Sequence, residues 1–139
     1  RAQAEGASVL TGGKRTGDAG TFIAPTVLVD VNAGMEVVRE EVFGPVLVAM
    51  SFHDEDHAVE LANATPFGLV AGIWTQDGAR QFRVARRLRC GQVFVNNYGA
   101  GGGVEIPFGG VKSSGYGREK GFEALYGFTT LKSVAIRHS

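Results

Sequence analysis

The residues able to do chemistry in this chain sit in a few short stretches. At 40–46 the sequence runs Glu-Glu-Val-Phe-Gly-Pro-Val. Two carboxylates precede an aromatic ring and a Gly-Pro turn. Proline fixes φ and glycine permits tight approach. Such a turn can hold Glu41 and Phe43 rigidly at the mouth of a strand. A carboxylate accepts hydrogen bonds from a ribose diol, and an aromatic face packs a planar ring. On spacing alone the stretch also reads as a solvated acidic pair beside a core phenylalanine, because such pairs are common and mostly exposed.

The other candidates carry less. GAGGG at 99–103 follows a strand, as a dinucleotide fingerprint should, but the sixth position from Gly99 is Val104. The G-x-G-x-x-G pattern therefore fails. GYGREKG at 115–121 places its third glycine one residue late. Both stretches read as bends where backbones approach closely. Cys90 lies between Arg89 and Gly91 at an expected helix C-terminus. A reactive thiolate prefers a helix N-terminus, where the dipole lowers its pKa, so Cys90 reads as structural. His53 and His57 are spaced i, i+4, with no H-E-x-x-H motif and no further ligands at matching spacing. No catalytic residue and no metal ligand is assigned.

Regular elements must hold these residues in place. Ser8 to Thr11 is a short strand candidate stopped by Gly12 and Gly13. Thr21 to Val29 is β-rich but contains Pro25, which places it at a sheet edge or in an irregular extended segment. Val46 to Phe52, Leu69 to Thr75 and Gln92 to Asn96 are apolar runs that suit buried parallel strands. Asp54 caps a helix to about Ala64, with Ala58, Leu61 and Ala62 on one face, and Thr65-Pro66 stops it. Asp77 caps a second helix to about Leu88, with Phe82, Ala85 and Leu88 or Val84 inward. Five arginines between 80 and 89 read as its solvated face. The order from 46 to 96 is β-α-β-α-β, the pattern of a parallel sheet with right-handed crossovers in an α/β fold. A short helix at about 119–127 and a last strand at about 129–137 follow.

Composition narrows the class. Lys+Arg and Asp+Glu are 14 each, which argues against a nucleic-acid partner, whose footprint is a basic surplus. No apolar run reaches the length of a membrane span, and no basic-then-apolar leader opens the chain. A single cysteine makes a cytoplasmic setting the default. The chain opens at Arg1 on residues that read as the end of a helix, so a preceding segment is expected.

Taken together, the motifs resemble the aldehyde dehydrogenase superfamily. The matching pieces run in family order: FIAPTVL at 22–28, Met35, EEVFGPV at 40–46, LANATPFGLVAGIWT at 61–75, GQVFVNNY at 91–98, PFGGVKSSGYGREKG at 107–121 and TTLKSV at 129–134. Each motif is moderately specific; their order and spacing together are very specific. The resemblance covers nearly the whole chain and implies its fold: the carboxyl-terminal part of the catalytic domain at 1–128, with an oligomerisation strand at 129–139.

The resemblance also implies roles. Glu41 matches the glutamate that binds the nicotinamide-side ribose hydroxyls. Phe43 matches the aromatic beside the nicotinamide ring. Phe108 matches a residue lining the substrate tunnel, and the loop from Tyr98 to Ile106 matches a segment shaping the aldehyde pocket. The cofactor implied is NAD or NADP. The partners implied are an aldehyde and further copies of the chain in a dimer or higher homo-oligomer. In the family, a cysteine thiolate attacks the aldehyde, hydride leaves to the nicotinamide, and activated water releases the acid. That cysteine, its general base and the dinucleotide-binding half lie upstream in the family, so this segment alone is expected to be inactive. The alternative is a freestanding α/β module that binds a nucleotide or pairs subunits without catalysis.

Overall fold

Glycine ends the first turn of the chain. In the computed structural model, which describes residues 1–99 and 103–139, a 3-10 turn at Ala2–Glu5 stops at Gly6, φ 109°. Gly6 N–H closes that turn onto Ala2 O and Gln3 O. The opening residues, read as the end of a helix, form this single 3-10 turn. The described chain divides into two units, Arg1–Thr65 and Pro66–Ser139.

In the first unit, β1 (Ser8–Thr11) pairs antiparallel with β2 (Thr26–Val29), and β2 pairs parallel with β3 (Val46–Val48). The turn after β1 uses Gly12 and Gly13, at φ 75° and 69°, backbone that glycine adopts without cost. The expectation for Thr21 to Val29 needs correction. Pro25 lies outside the ladder, and the four residues after it form the central strand of the sheet. Proline lacks only its own N–H, so it can stand just before a strand whose remaining donors all pair. A single helical turn, α1 (Glu36–Arg39), lies in the crossover from β2 to β3. α2 (Glu55–Asn63) follows. Its buried side chain is Val59, with Ala58 and Leu61 half-buried and Ala62 exposed. The inward face is thus turned away from Ala62. The buried apolar residues here are Ala7, Leu28, Met35 and Val59, with Thr26 buried among the polar ones.

In the second unit, β4 (Val70–Ile73), α3 (Gly78–Arg87) and β5 (Gln92–Val95) make a β-α-β unit with the strands parallel, Val70 opposite Gln92 and Ile73 opposite Val95. On α3, Val84, Ala85 and Leu88 are half-buried, as the pattern predicted, but Phe82 is 67% exposed. The fold is mixed α/β with parallel strand pairs. The pairing differs from the single β-α-β-α-β sheet expected from order: β3 pairs with β2, while β4 and β5 form a separate two-stranded sheet. Periodicity marks a strand without naming its neighbour, and β2-α1-β3 is itself a parallel crossover that pattern reading passed over. The helix expected at 119–127 forms only as α4 (Ala124–Gly127). The strand expected at 129–137 has no ladder among the described residues and is exposed throughout, Leu131 at 97%. A strand needs a hydrogen-bonded neighbour, and none of the described residues supplies one.

Both capping aspartates are where the sequence put them. Asp54 accepts from His57 N at 2.8 Å, and Asp77 accepts from Arg80 N at 3.0 Å. The backbone bond to His57, followed by the His53 side chain, holds the Asp54 carboxyl below its ordinary 3.8. The backbone bond from Arg80 does the same for Asp77. A carboxyl whose folded pKa is depressed contributes stability that is present above the unfolded value and lost as pH falls through the folded value. The helices α2 and α3 are therefore expected to fray as pH drops below 3.8. Asparagine also caps but does not titrate. Circular dichroism of the Asp54→Asn, Asp77→Asn double variant should show a flatter acid limb than the parent; an identical limb would count against the caps as its source.

Candidate functional site

The loop 40–45 joins α1 to β3 and is fastened at its exit. Pro45 O accepts from Thr26 N at 2.8 Å, and Val46 N bonds Gly44 O at 2.7 Å. Thr26 is itself a buried junction: its Oγ1 accepts from Gly13 N at 2.8 Å and donates to Ala24 O at 2.8 Å. The turn after β1 and the exit of the 40–45 loop therefore share one anchor on the central strand.

Above that anchor the loop presents its side chains outward. Glu41 is exposed. Phe43 is 91% exposed, with φ 48°. A bulky residue in the left-handed region is uncommon and costs of order 1 kcal/mol. A large ring held in solvent, on strained backbone, beside a carboxylate is a poor arrangement for packing this unit. It is a suitable one for receiving a ligand with a planar ring and a diol. The core reading of Phe43 that spacing left open does not hold within this unit. Val42, 50% exposed, lines a cleft with Val9, Leu28, Val37 and Val46.

Phe108 belongs to the second unit. It sits in an antiparallel bridge with Glu119: Phe108 N donates to Glu119 O and Glu119 N to Phe108 O, both at 2.6 Å. The ring is half-buried, and Lys120 Nζ stands 5.7 Å from its centroid. The preceding carbonyl, Pro107 O, accepts from Gln92 Nε2 at 2.9 Å. Arg118 closes the next bend by donating to Gly110 O at 3.0 Å and Gly117 O at 2.6 Å. Of the loop from Tyr98 to Ile106, residues 100–102 lie outside the described residues.

Cys90 is half-buried, and its Sγ donates to Gln92 O at 3.1 Å. Burial pushes the thiol pKa up, opposed by the Gln92 backbone bond and the charge of Lys112. That environment disfavours a thiolate, in keeping with a structural thiol. His53 and His57 stack with ring centroids 4.1 Å apart, and His53 Nδ1 lies 2.9 Å from Asp54 Oδ2. Among the described residues no group of three or more His, Cys, Asp or Glu is placed to hold a metal ion, and no helix is long and apolar enough to cross a membrane.

Sequence reading passed over several positioning residues. Thr26 and Gln92 were hidden inside apolar strands, where only burial reveals a polar side chain at work. Asn96 was placed at a strand end but given no task. At φ 51° it takes over from the backbone: its Nδ2 donates to Thr75 O and its Oδ1 accepts from Thr75 N, both at 2.9 Å. Asparagine at a strand exit is a signal that could have found it.

These features describe a class: a mixed α/β protein whose 40–45 loop exposes a carboxylate and an aromatic ring. The family follows from comparison. The model of the "Aldehyde dehydrogenase family" matches residues 1–134, and the chain belongs to that family. It is 48% identical over 139 residues to betaine aldehyde dehydrogenase 1 of Rhizobium meliloti (strain 1021), covering 98% of this chain and 28% of that protein. It is 48% identical over 128 residues to the NADP/NAD-dependent aldehyde dehydrogenase PuuC of Escherichia coli (strain K12), covering 92% and 26%. Among solved structures, an aldehyde dehydrogenase from Bacillus cereus in complex with NAD+ superimposes with TM-score 0.91 at 44% identity, covering 96% of this chain and 27% of that one. The chain thus spans between a quarter and a third of the length of these relatives.

Proposed function

We propose that this chain is the carboxyl-terminal part of an NAD- or NADP-dependent aldehyde dehydrogenase that oxidises an aldehyde to a carboxylic acid. Residues 1–128 complete the catalytic domain, and 129–139 form an oligomerisation strand. The observation that carries the reading is the anchored 40–45 loop, which exposes Glu41 and Phe43 on a chain matched to the family over residues 1–134. The cofactor fits the groups on offer. Glu41 is an exposed acceptor for two ribose hydroxyls, and Phe43 is an exposed face for the nicotinamide ring. When bound, the nicotinamide takes up the hydride released from the substrate carbon. Glu41 fixes the sugar, Phe43 limits how far the ring can swing, and Phe108 borders the aldehyde path. The relatives' names include both cofactors. The single cysteine favours a cytoplasmic setting.

Surface exposure weighs against the freestanding module. A compact monomer of 14.7 kDa exposes about 6,900 Å². Two separate compact domains of half that mass would together expose about 8,400 Å². This chain exposes 10554 Å², more than either. Trp74, Phe82, Phe128 and Leu131 are among its exposed apolar side chains. Such surface supports a piece covered by further protein.

The test is direct. The product of the whole gene is expected to reduce NAD or NADP only when an aldehyde is supplied, and residues 1–139 alone to show no turnover. Aldehyde-independent binding of nucleotide by the whole product, with no turnover on any aldehyde, would favour the module instead. Segment 129–139 carries its own prediction. It exposes Leu131, Val134 and Ile136 and has no ladder among the described residues, so it is expected to add to a neighbouring copy's sheet edge. Deleting it from the whole product should lower the oligomeric state seen by light scattering; an unchanged mass would refute that role.

A further inference from the structure

We propose that Gln92 is a positioning residue: its side-chain amide clamps the peptide between Pro107 and Phe108 and so aims the Phe108 ring. The inference rests on the assignment of Phe108 to the aldehyde path. Gln92 opens β5 and is fixed by the ladder, its N–H bonding Leu69 O at 3.1 Å. It is 8% exposed. Its Nε2 crosses to Pro107 O at 2.9 Å. Pro107 C=O and Phe108 N–H belong to one peptide unit, which is planar and rigid. The carbonyl side of that unit is held by Gln92, and the N–H side by Glu119 O at 2.6 Å. With both edges tied, the plane cannot rotate, and the direction in which the Phe108 side chain leaves the backbone is set.

The orientation of the Gln92 amide follows from the chemistry. A carbonyl oxygen only accepts, so the NH2 group must face Pro107. Oε1 is then turned away, buried and without a hydrogen-bond partner among the described residues. A buried unpaired acceptor is unfavourable, and methionine would fill similar volume without that cost. A glutamine kept there for packing alone is therefore a poor explanation; one kept for its donor is a good one. Gln92, Ile106 and Pro107 also line one cleft with Phe94, so the clamp lies on the same wall as the loop it steadies.

The experiment uses the whole gene product with two isosteric variants. Gln92→Met keeps length and removes the donor. Gln92→Glu has no donor when ionised and regains one when protonated. Loss of one such bond is expected to raise the aldehyde KM about five- to tenfold, with kcat and the cofactor KM within about twofold of the parent. In Gln92→Glu the defect, taken as a ratio to the parent at each pH, should be present at high pH and shrink as pH falls. A merely structural loss would not recover in that way. Hydrogen exchange reads the clamp without activity: amides of 104–111 should exchange faster in Gln92→Met while β4 and β5 stay protected. Parent-like exchange and parent-like KM in both variants would overturn the proposal, as would equal losses in kcat and both KM values with no pH recovery. Phe108→Leu separates the two claims. If it leaves aldehyde KM unchanged while the exchange result holds, the clamp stands and the tunnel assignment of Phe108 falls.

Discussion

Gly91→Ala is expected to destabilise the second unit by more than about 3 kcal/mol, the range of severe overpacking against backbone. A methyl group at Gly91 would overlap the carbonyl oxygen of Gly109, lie 2.7 Å from its carbon and 3.2 Å from Gly110 Cα. None of those atoms is the end of a flexible side chain, so nothing can rotate aside. The segments are also tied together. Gly68 O accepts from both Gly91 N and Val111 N at 3.0 Å, so backing away to admit the methyl would strain two hydrogen bonds. Gly68 itself is closed to a side chain by Arg89 O at 2.7 Å and Val111 Cγ2 at 2.9 Å. Gly78 supplies the control: it opens α3 with nothing within 4 Å of an added Cβ. Gly78→Ala is expected to change stability by less than about 1 kcal/mol, toward greater stability. Thermal midpoints of the two variants should therefore split widely. Similar midpoints would show that the backbone approach at Gly91 relaxes freely. Because Phe108 precedes Gly109, any surviving Gly91→Ala enzyme should also bind aldehyde poorly.

Glu41→Gln should act on turnover and leave stability alone. The side chain is exposed on the 40–45 loop, where substitutions change stability by less than about 0.5 kcal/mol. An amide keeps the size and one acceptor oxygen but gives up the charge that strengthens bonds to ribose hydroxyls. Losing about 1.4 kcal/mol of transition-state positioning corresponds to about tenfold in kcat. The nicotinamide would sit less firmly over the reacting carbon, so kcat should fall more than cofactor affinity does. Glu40→Gln is the matched control, since Glu40 adjoins it at the C-terminal end of α1 and carries no assigned role. Parent-like kcat in Glu41→Gln, or equal losses in both variants, would remove Glu41 from the cofactor site. Phe43, on the same loop, has φ 48° and a ring that is 91% exposed, so the backbone carries a local cost at that position.

Local chemistry made much of this readable. Gly12 and Gly13 mark a turn because only glycine enters the left-handed region without strain. Asp54 and Asp77 mark helix starts because their side chains satisfy free N–H groups within three residues. The family motifs were legible for a related reason: they are contiguous, so their order survives in a linear string. The exposed pair at 41 and 43 could also be nominated, since both residues lie on one short turn.

Long-range pairing was not readable in the same way. An apolar run announces a strand, yet β3 found β2 and not β4, because the choice of neighbour depends on how whole segments cross in space. Pro25 looked like a sheet-edge signal, but it affects only its own donor, and the strand begins one residue later. The tie from Gln92 to Pro107 spans 15 residues, and the mutual contact of Gly91 with Gly109 spans more. Sequence alone determined the two aspartate caps, the turn after β1, the types of β4, α3 and β5, and the family, since each rests on neighbours along the chain. Tertiary structure decided the strand order, the outward ring of Phe43 and the clamp on Phe108, since each rests on atoms brought together only by folding.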